Sequence, residues 1–326
     1  MLKFIKELGD KILNGYEITF DEAMELVKIK EENELELLYK YADEIRDKYC
    51  GDSFDVCTIM NVKSGKCSED CSFCAQSAHY ETKCDTYDLL NADEIVERAV
   101  EMEESGAKRF SLVSSGRNLS DNDLKRLVPI YKRIKEETGL KVCASHGLLT
   151  KEQAKELKEA GVDRYHHNLE SSKEHYEKVC TTHSFEDRVD TIKAVVESDL
   201  DICSGGIFGI GEGEVDRIKM AFELRKLGIK SIPVNILNPI EGTPLSASEK
   251  VGQIDALKMI SIFRCILPQS FIRYGGGRSN FDDNGKKGLK AGVNAALVGN
   301  YLTTVGNSID EDMEMIKEAG YKISDC

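Results

Sequence analysis

The sequence is short of several features that would mark a different kind of protein. No apolar run approaches the roughly 20 residues a membrane-spanning helix needs. The stretch from Met259 to Leu267, for example, is broken by Arg264. There is no basic excess. Lys and Arg number 44 against 58 Asp and Glu, a formal net charge of −14, which argues against non-specific binding to nucleic acid or an anionic membrane surface. Five prolines in 326 residues, with no Pro/Gly/Ser-rich tract, long charge run or solenoid-type repeat, leave little linker material. The N-terminus, MLKFIKELGDKILNG, carries acidic residues and no small-residue cleavage site. It reads as an amphipathic helix, not an export signal.

Against these absences stand eleven cysteines. Without an export signal the expected compartment is the cytoplasm, where such thiols are metal ligands or small buried hydrophobes more often than disulfides. An apolar fraction of 41% beside 31% charged residues is that of a globular chain with a sizeable core.

The first 50 residues read as helices with charged faces. Beyond them, short β-branched or apolar runs alternate with amphipathic stretches. Strands are expected to start near Asp55, Arg109, Lys141, Asp163, Asp201, Ser231, Ser270 and Ala295. The segments between, such as ADEIVERAVEMEESG, TKEQAKELKEAG and EVDRIKMAFELRKLG, have helical spacing and end in glycine, a C-cap signal. Pro129 should mark the start or a kink of its helix. Eight strand–helix units are the count for a (β/α)₈ TIM-type barrel, with a doubly wound sheet as the alternative. The expected organisation is an α/β fold with an N-terminal helical extension over 1–50 and the barrel over 51–326. Chemistry then belongs at the C-terminal ends of the strands.

The strongest chemical signal is KCSEDCSFCAQS, which places Cys67, Cys71 and Cys74 in a C-x₃-C-x₂-C array within the long connection 63–91. Three thiolates suit a [4Fe–4S] cluster with one iron left open. A structural zinc site with Cys84 as fourth ligand fits poorly, because such sites use two close ligand pairs.

With Phe73 before the third cysteine, this array resembles the signature of the radical S-adenosylmethionine (SAM) superfamily. The longer strings NVKSGKCSEDCSFCAQSAHY, YHHNLES (165–171), ICSGGIFGIGE (202–212), VNILNPIEGTPL (234–245) and IRYGGGR (272–278), in this order, resemble the biotin synthase family within it. The resemblance implies that Cys67, Cys71 and Cys74 hold the [4Fe–4S] cluster and that the open iron binds SAM. Phe73 would contact adenine, Glu170 the ribose, and Arg188 would lie near SAM. Asn168 and Asn235 would bind a ureido ring through their amides, and Thr303 and Thr304 the substrate's carboxylate tail. His166 stands where the family commonly has asparagine. The run Gly205, Gly206, Gly209, Gly211 does not fit G-x-G-x-x-G and is no evidence for NAD. It is expected to let a strand end approach a ligand closely.

The resemblance also implies an auxiliary iron–sulfur cluster deeper in the barrel, normally on three cysteines and an arginine. Cys143, Cys203 and Arg273 match three of these positions. The fourth is Ser111, a poor ligand for iron compared with thiolate. Cys57, on the first strand, compensates. Cys57, Cys143, Cys203 and Arg273 fall on expected strands one, three, five and seven, and alternate barrel strands share an interior layer. A rearranged cluster on these residues, of unspecified iron count, is therefore expected, with Arg273 as ligand or electrostatic partner and Ser111 in the adjacent layer.

The implied activity is sulfur insertion into dethiobiotin through a 5′-deoxyadenosyl radical, with a one-electron donor such as flavodoxin or ferredoxin, in a homodimer with no nucleic-acid or membrane partner. The alternatives are a radical SAM mutase or hydrogenase-cofactor maturase acting on an amino acid, and an iron–sulfur redox sensor without SAM chemistry.

Overall fold

The computed structural model describes residues 1–299 and 308–324. Its strands are β1 (Ser53–Lys63), β2 (Arg109–Ser114), β3 (Lys141–Ser145), β4 (Arg164–His166), β5 (Asp201–Cys203), β6 (Gly206–Phe208), β7 (Ser231–Ile236), β8 (Phe271–Tyr274), β9 (Ala295–Leu297) and β10 (Lys322–Ser324). All the pairings are parallel, and β9 returns to β1 through Asp55↔Ala295, Val56↔Ala296 and Cys57↔Leu297. The sheet is thus a closed parallel barrel of eight strand positions, not a doubly wound sheet.

The expected fifth strand is two pieces, β5 and β6, both paired to β7. Pro233 on β7 has no N–H to donate to the ladder. Opposite it, a Cβ on Gly205 would stand 1.9 Å from the Pro233 carbonyl oxygen. The strand breaks where its neighbour cannot bond it. β10, which the sequence did not announce, adds to the start of β1 through Ser53↔Lys322.

The helices are α1 (Leu2–Leu13), α2 (Phe20–Val27), α3 (Glu32–Cys50), α4 (Ala92–Glu104), α5 (Asp121–Glu137), α6 (Lys151–Glu159), α7 (Lys173–Tyr176), α8 (Phe185–Val196), α9 (Glu214–Lys226), α10 (Gln253–Ile266) and α11 (Ile309–Glu318). Gly106, Gly161 and Gly228, just past α4, α6 and α9, take φ of 88°, 95° and 71°, as C-terminal glycines should. α5 is capped by Ser120 and runs through Pro129, so the proline does not start that helix. The proline's missing N–H and ring are the cost of keeping it in the interior.

α10 explains the apolar run around Arg264. It lies between the barrel and the N-terminal helices α2 and α3, and every residue from Ala256 to Ile266 is buried. Each fully buried Ile or Leu there contributes about 1.5–3 kcal/mol. Arg264 is tolerated because it donates to the carbonyls of Gly292, Pro268 and Ser270 and to Asn294 Oδ1. No helix among the described residues is long and apolar enough to cross a membrane.

Candidate active site

The loop after β1 is knitted into a fixed shape. Cys67 N donates to Gln76 O at 2.9 Å and Ala78 N to Cys67 O at 2.8 Å, while Cys74 N closes a turn on Cys71 O at 2.9 Å. Ser72 N reaches Val179 O at 2.8 Å, tying the loop to the segment after α7. Glu69 and Asp70, inside the motif, accept from Thr181, Thr182 and His183. Three half-buried thiols are thereby presented on one rigid turn. Phe73 packs on a small apolar cluster of Val179, Ile207, Ile210 and Leu237, separate from the main core. Such a shelf suits a flat base.

The loop's end closes a cavity of about 350 Å³. Its walls carry Phe73, Cys74, Asn168, Glu170 and Asn235 near the mouth and Cys57, Cys143, Cys203 and Arg273 in the barrel. The expected strand assignments of the interior residues agree with β1, β3, β5 and β8, the seventh position of the barrel. Ser111, expected in the adjacent layer, lines the same cavity and pairs in register with Cys143.

Arg188 is buried, not an exposed helix arginine. Its Nη1 donates to Asn168 O at 2.9 Å, its guanidinium lies 3.7 Å from Glu170, and its Nε bonds the Tyr176 hydroxyl. Glu170 holds a positive φ of 68° while bridging to β6 through Gly205 O and Ile207 N. The two asparagines are partly committed to the scaffold. Asn168 Oδ1 accepts from Gly205 N at 3.1 Å and its Nδ2 donates to Glu170 at 3.2 Å. Asn235 Oδ1 accepts from Gly276 N at 2.8 Å and its Nδ2 donates to Gly206 O at 3.2 Å. Each amide nitrogen keeps a second N–H. Thr303 and Thr304 lie outside the described residues.

Two glycines of the run make room for the protein itself. A Cβ on Gly206 would meet Met220 Sδ at 2.4 Å and Glu170 O at 2.5 Å. With Gly205 against Pro233, these two glycines admit neighbouring backbone and a helix side chain.

Sequence reasoning missed the barrel floor. Asp55, with no solvent exposure, accepts from Arg164 at 2.9 Å and Arg273 at 2.5 Å and lies 3.6 Å from Arg109. Burial works against its charge, but the three guanidinium groups hold its pKa below the usual carboxylate value. The same cations act on the thiols above. Cys57 and Cys143 shift in opposite directions. Their mutual hydrogen bond and burial raise Cys57, whereas Cys143, despite burial, is lowered by that bond and by Arg109 and Arg164. Burial pushes the Cys203 thiol up, but His166 and then Arg273 and Arg164 outweigh it and leave it at about 7. The visible signal was a charged residue at the first inward position of several strands.

Among the described residues, the one group of three metal-capable side chains within 4.8 Å of each other is Cys71, Cys180 and His183. Neither the three loop thiols nor the three interior thiols form such a group among the described residues. Sets of cysteine thiols are the donors that hold iron–sulfur clusters.

A thiol-bearing loop at the mouth of a parallel barrel, an apolar shelf and a carboxylate–arginine pair beside it define a radical SAM barrel protein. Residues 61–224 match the Radical SAM superfamily, and residues 233–322 match the Biotin and Thiamin Synthesis associated domain. The chain is 51% identical over 327 residues to biotin synthase of Fusobacterium nucleatum, covering 98% of this chain and 91% of that protein. It is 47% identical to biotin synthase of Clostridioides difficile, covering 99% and 100%. The chain belongs to the biotin synthase family. Its fold is also that of methylornithine synthase, with a TM-score of 0.85 at 24% identity over 97% of both chains.

Proposed function

We propose that this chain is a sulfur-inserting radical SAM enzyme that converts dethiobiotin to biotin. The observation that supports this most is a single cavity with the thiol loop and Glu170 at one end and Cys57, Cys143 and Cys203 at the other. A radical donor and a sulfur donor must both reach one substrate, and such a cavity allows it. When bound, the [4Fe–4S] cluster supplies the electron that releases a 5′-deoxyadenosyl radical from SAM, and the auxiliary cluster supplies sulfur.

The chain's own residues bind and orient. Cys67, Cys71 and Cys74 hold the first cluster. Phe73 covers the adenine, Glu170 accepts from the ribose hydroxyls, and Arg188 fixes both Glu170 and the Asn168 carbonyl. The spare N–H groups of Asn168 and Asn235 face the ureido oxygen, and Thr303 and Thr304 take the carboxylate tail. Cys57, Cys143 and Cys203 hold the auxiliary cluster as thiolates, with Arg273 as its cationic partner. The closed barrel keeps water from the radical. We also infer a homodimer served by flavodoxin or ferredoxin, on the family resemblance, in the cytoplasm, where the ten described cysteines, all free, would persist as thiols.

The test is anaerobic incubation of the iron- and sulfide-reconstituted protein with reductant, SAM and dethiobiotin. Biotin and 5′-deoxyadenosine are quantified by mass spectrometry. Biotin above the no-SAM control is expected. Deoxyadenosine without biotin would move the assignment to relatives that act on amino acids.

A further inference from the structure

We propose that His166 is the fourth protein ligand of the interior cluster, in the place a guanidine nitrogen of Arg273 would otherwise take. This rests on the reading that Cys57, Cys143 and Cys203 hold that cluster.

The placement is set by the barrel. His166 sits on β4, the strand between those carrying Cys143 and Cys203, and it is in direct register with Cys203. Arg164, His166 and Asn168, two residues apart, all line the cavity, as strand alternation requires. His166 and Cys203 line the same cavity side by side, and Ser231 Oγ on β7 donates to the Cys203 thiol at 3.2 Å.

Arg273 is committed elsewhere. Its Nη1 donates to Asp55 O at 3.2 Å and Ala296 O at 3.1 Å, and its Nη2 donates to Asp55 Oδ2 at 2.5 Å. Three of its five N–H groups are thus given to Asp55 and Ala296. A protonated guanidinium has no lone pair to give to iron. It can still stabilise anionic sulfur at short range. A neutral imidazole does have that lone pair, and mixed cysteine–histidine ligation is established for iron–sulfur clusters, with a higher potential than all-cysteine ligation.

The test uses full-length protein labelled with ¹⁵N-histidine, reconstituted anaerobically, reduced, and examined by pulsed EPR beside unlabelled protein. Iron is counted in both. The expected result is a directly coordinated nitrogen whose hyperfine coupling scales with the isotope. His166→Gln should remove the coupling and the interior cluster's share of iron while the loop cluster's own signal remains as the control for folding. His166→Cys should restore the iron without the nitrogen coupling. A second cluster present in the wild type without histidine coupling, or a coupling that survives in His166→Gln, would overturn the assignment and leave the interior cluster standing. Iron for only one [4Fe–4S] cluster in the wild type would overturn the interior cluster itself, and the ligand assignment with it.

Discussion

Arg273 and Asp55 form an ion pair of 2.5 Å at the floor of the barrel, where Asp55 has no exposure and Arg273 has 3%. The same carboxylate receives Arg164 at 2.9 Å. A buried pair is weak evidence of net stability, but breaking it leaves charge with no partner in a low-dielectric interior, at a cost of about 3–5 kcal/mol. Asp55→Asn should therefore lower the urea midpoint strongly. The pH dependence follows from the depressed Asp55 pKa, whose ordinary value is 3.8. A group with a depressed folded pKa contributes fully above its unfolded value. The contribution is lost as pH falls through the folded value. Wild-type stability should thus drop below about pH 4, and Asp55→Asn should flatten that limb. An unchanged midpoint and an unchanged acid limb would show the pair to be energetically idle.

Arg188 should govern SAM affinity. It holds the Asn168 carbonyl at 2.9 Å and faces Glu170 at 3.7 Å. A hydrogen bond to a charged group is worth about 1.5–3 kcal/mol, so Arg188→Ala should weaken SAM binding by about 10- to 100-fold. Equilibrium dialysis against the reconstituted protein measures this. Retention of wild-type affinity would mean that Glu170 is oriented without Arg188.

The eight strand starts were legible because each β-branched run is bounded by a helix-terminating glycine or a charged turn residue, and these are local signals. The cysteine loop was legible for the same reason. What escaped depends on neighbours distant in sequence. The break between β5 and β6 is caused by Pro233 on another strand. Asp55 reads as a turn residue at a strand start, and only barrel closure brings Arg109, Arg164 and Arg273 onto it. Cys180 lies outside the cysteine array of the loop. In the fold it lies 3.1 Å from both Asp70 Oδ1 and His183 Nδ1, beside Cys71. The glycines at 205 and 206 were visible, but their purpose was not, since it lies in the backbone they admit.

Gly205→Ala should separate β5–β6 from β7. The added methyl would stand 1.9 Å from Pro233 O, a backbone atom that no rotamer change can move. Overpacking of this kind costs about 1–3 kcal/mol or more, read as a thermal midpoint several degrees lower. Ala at Gly15, where nothing lies within 4 Å, is the comparison; its positive φ of 90° introduces backbone strain but no collision. Gly205 has no left-handed φ, so an effect no larger than that at Gly15 would show that the collision is relieved by backbone movement.

The thiol on β1, where β2 carries Ser111, makes the sharpest prediction about sulfur chemistry. Cys57 pairs in register with Arg109, and Ser111 lies two residues further along β2, opposite Cys143. Both side chains open on the same cavity, so a thiol at either position can reach its interior. Serine cannot substitute for a thiolate toward iron. Cys57→Ser should therefore remove the interior cluster's iron and abolish biotin formation, while SAM cleavage, which depends on the loop thiols, continues. Adding Ser111→Cys to that variant should restore iron, because the new thiol sits beside Cys143 and within the field of Arg109. Iron content and deoxyadenosine yield, measured on the same preparations, separate the two clusters. An iron count that is unaltered in Cys57→Ser would show that β1 carries no ligand, and the thiol on that strand would then be packing alone.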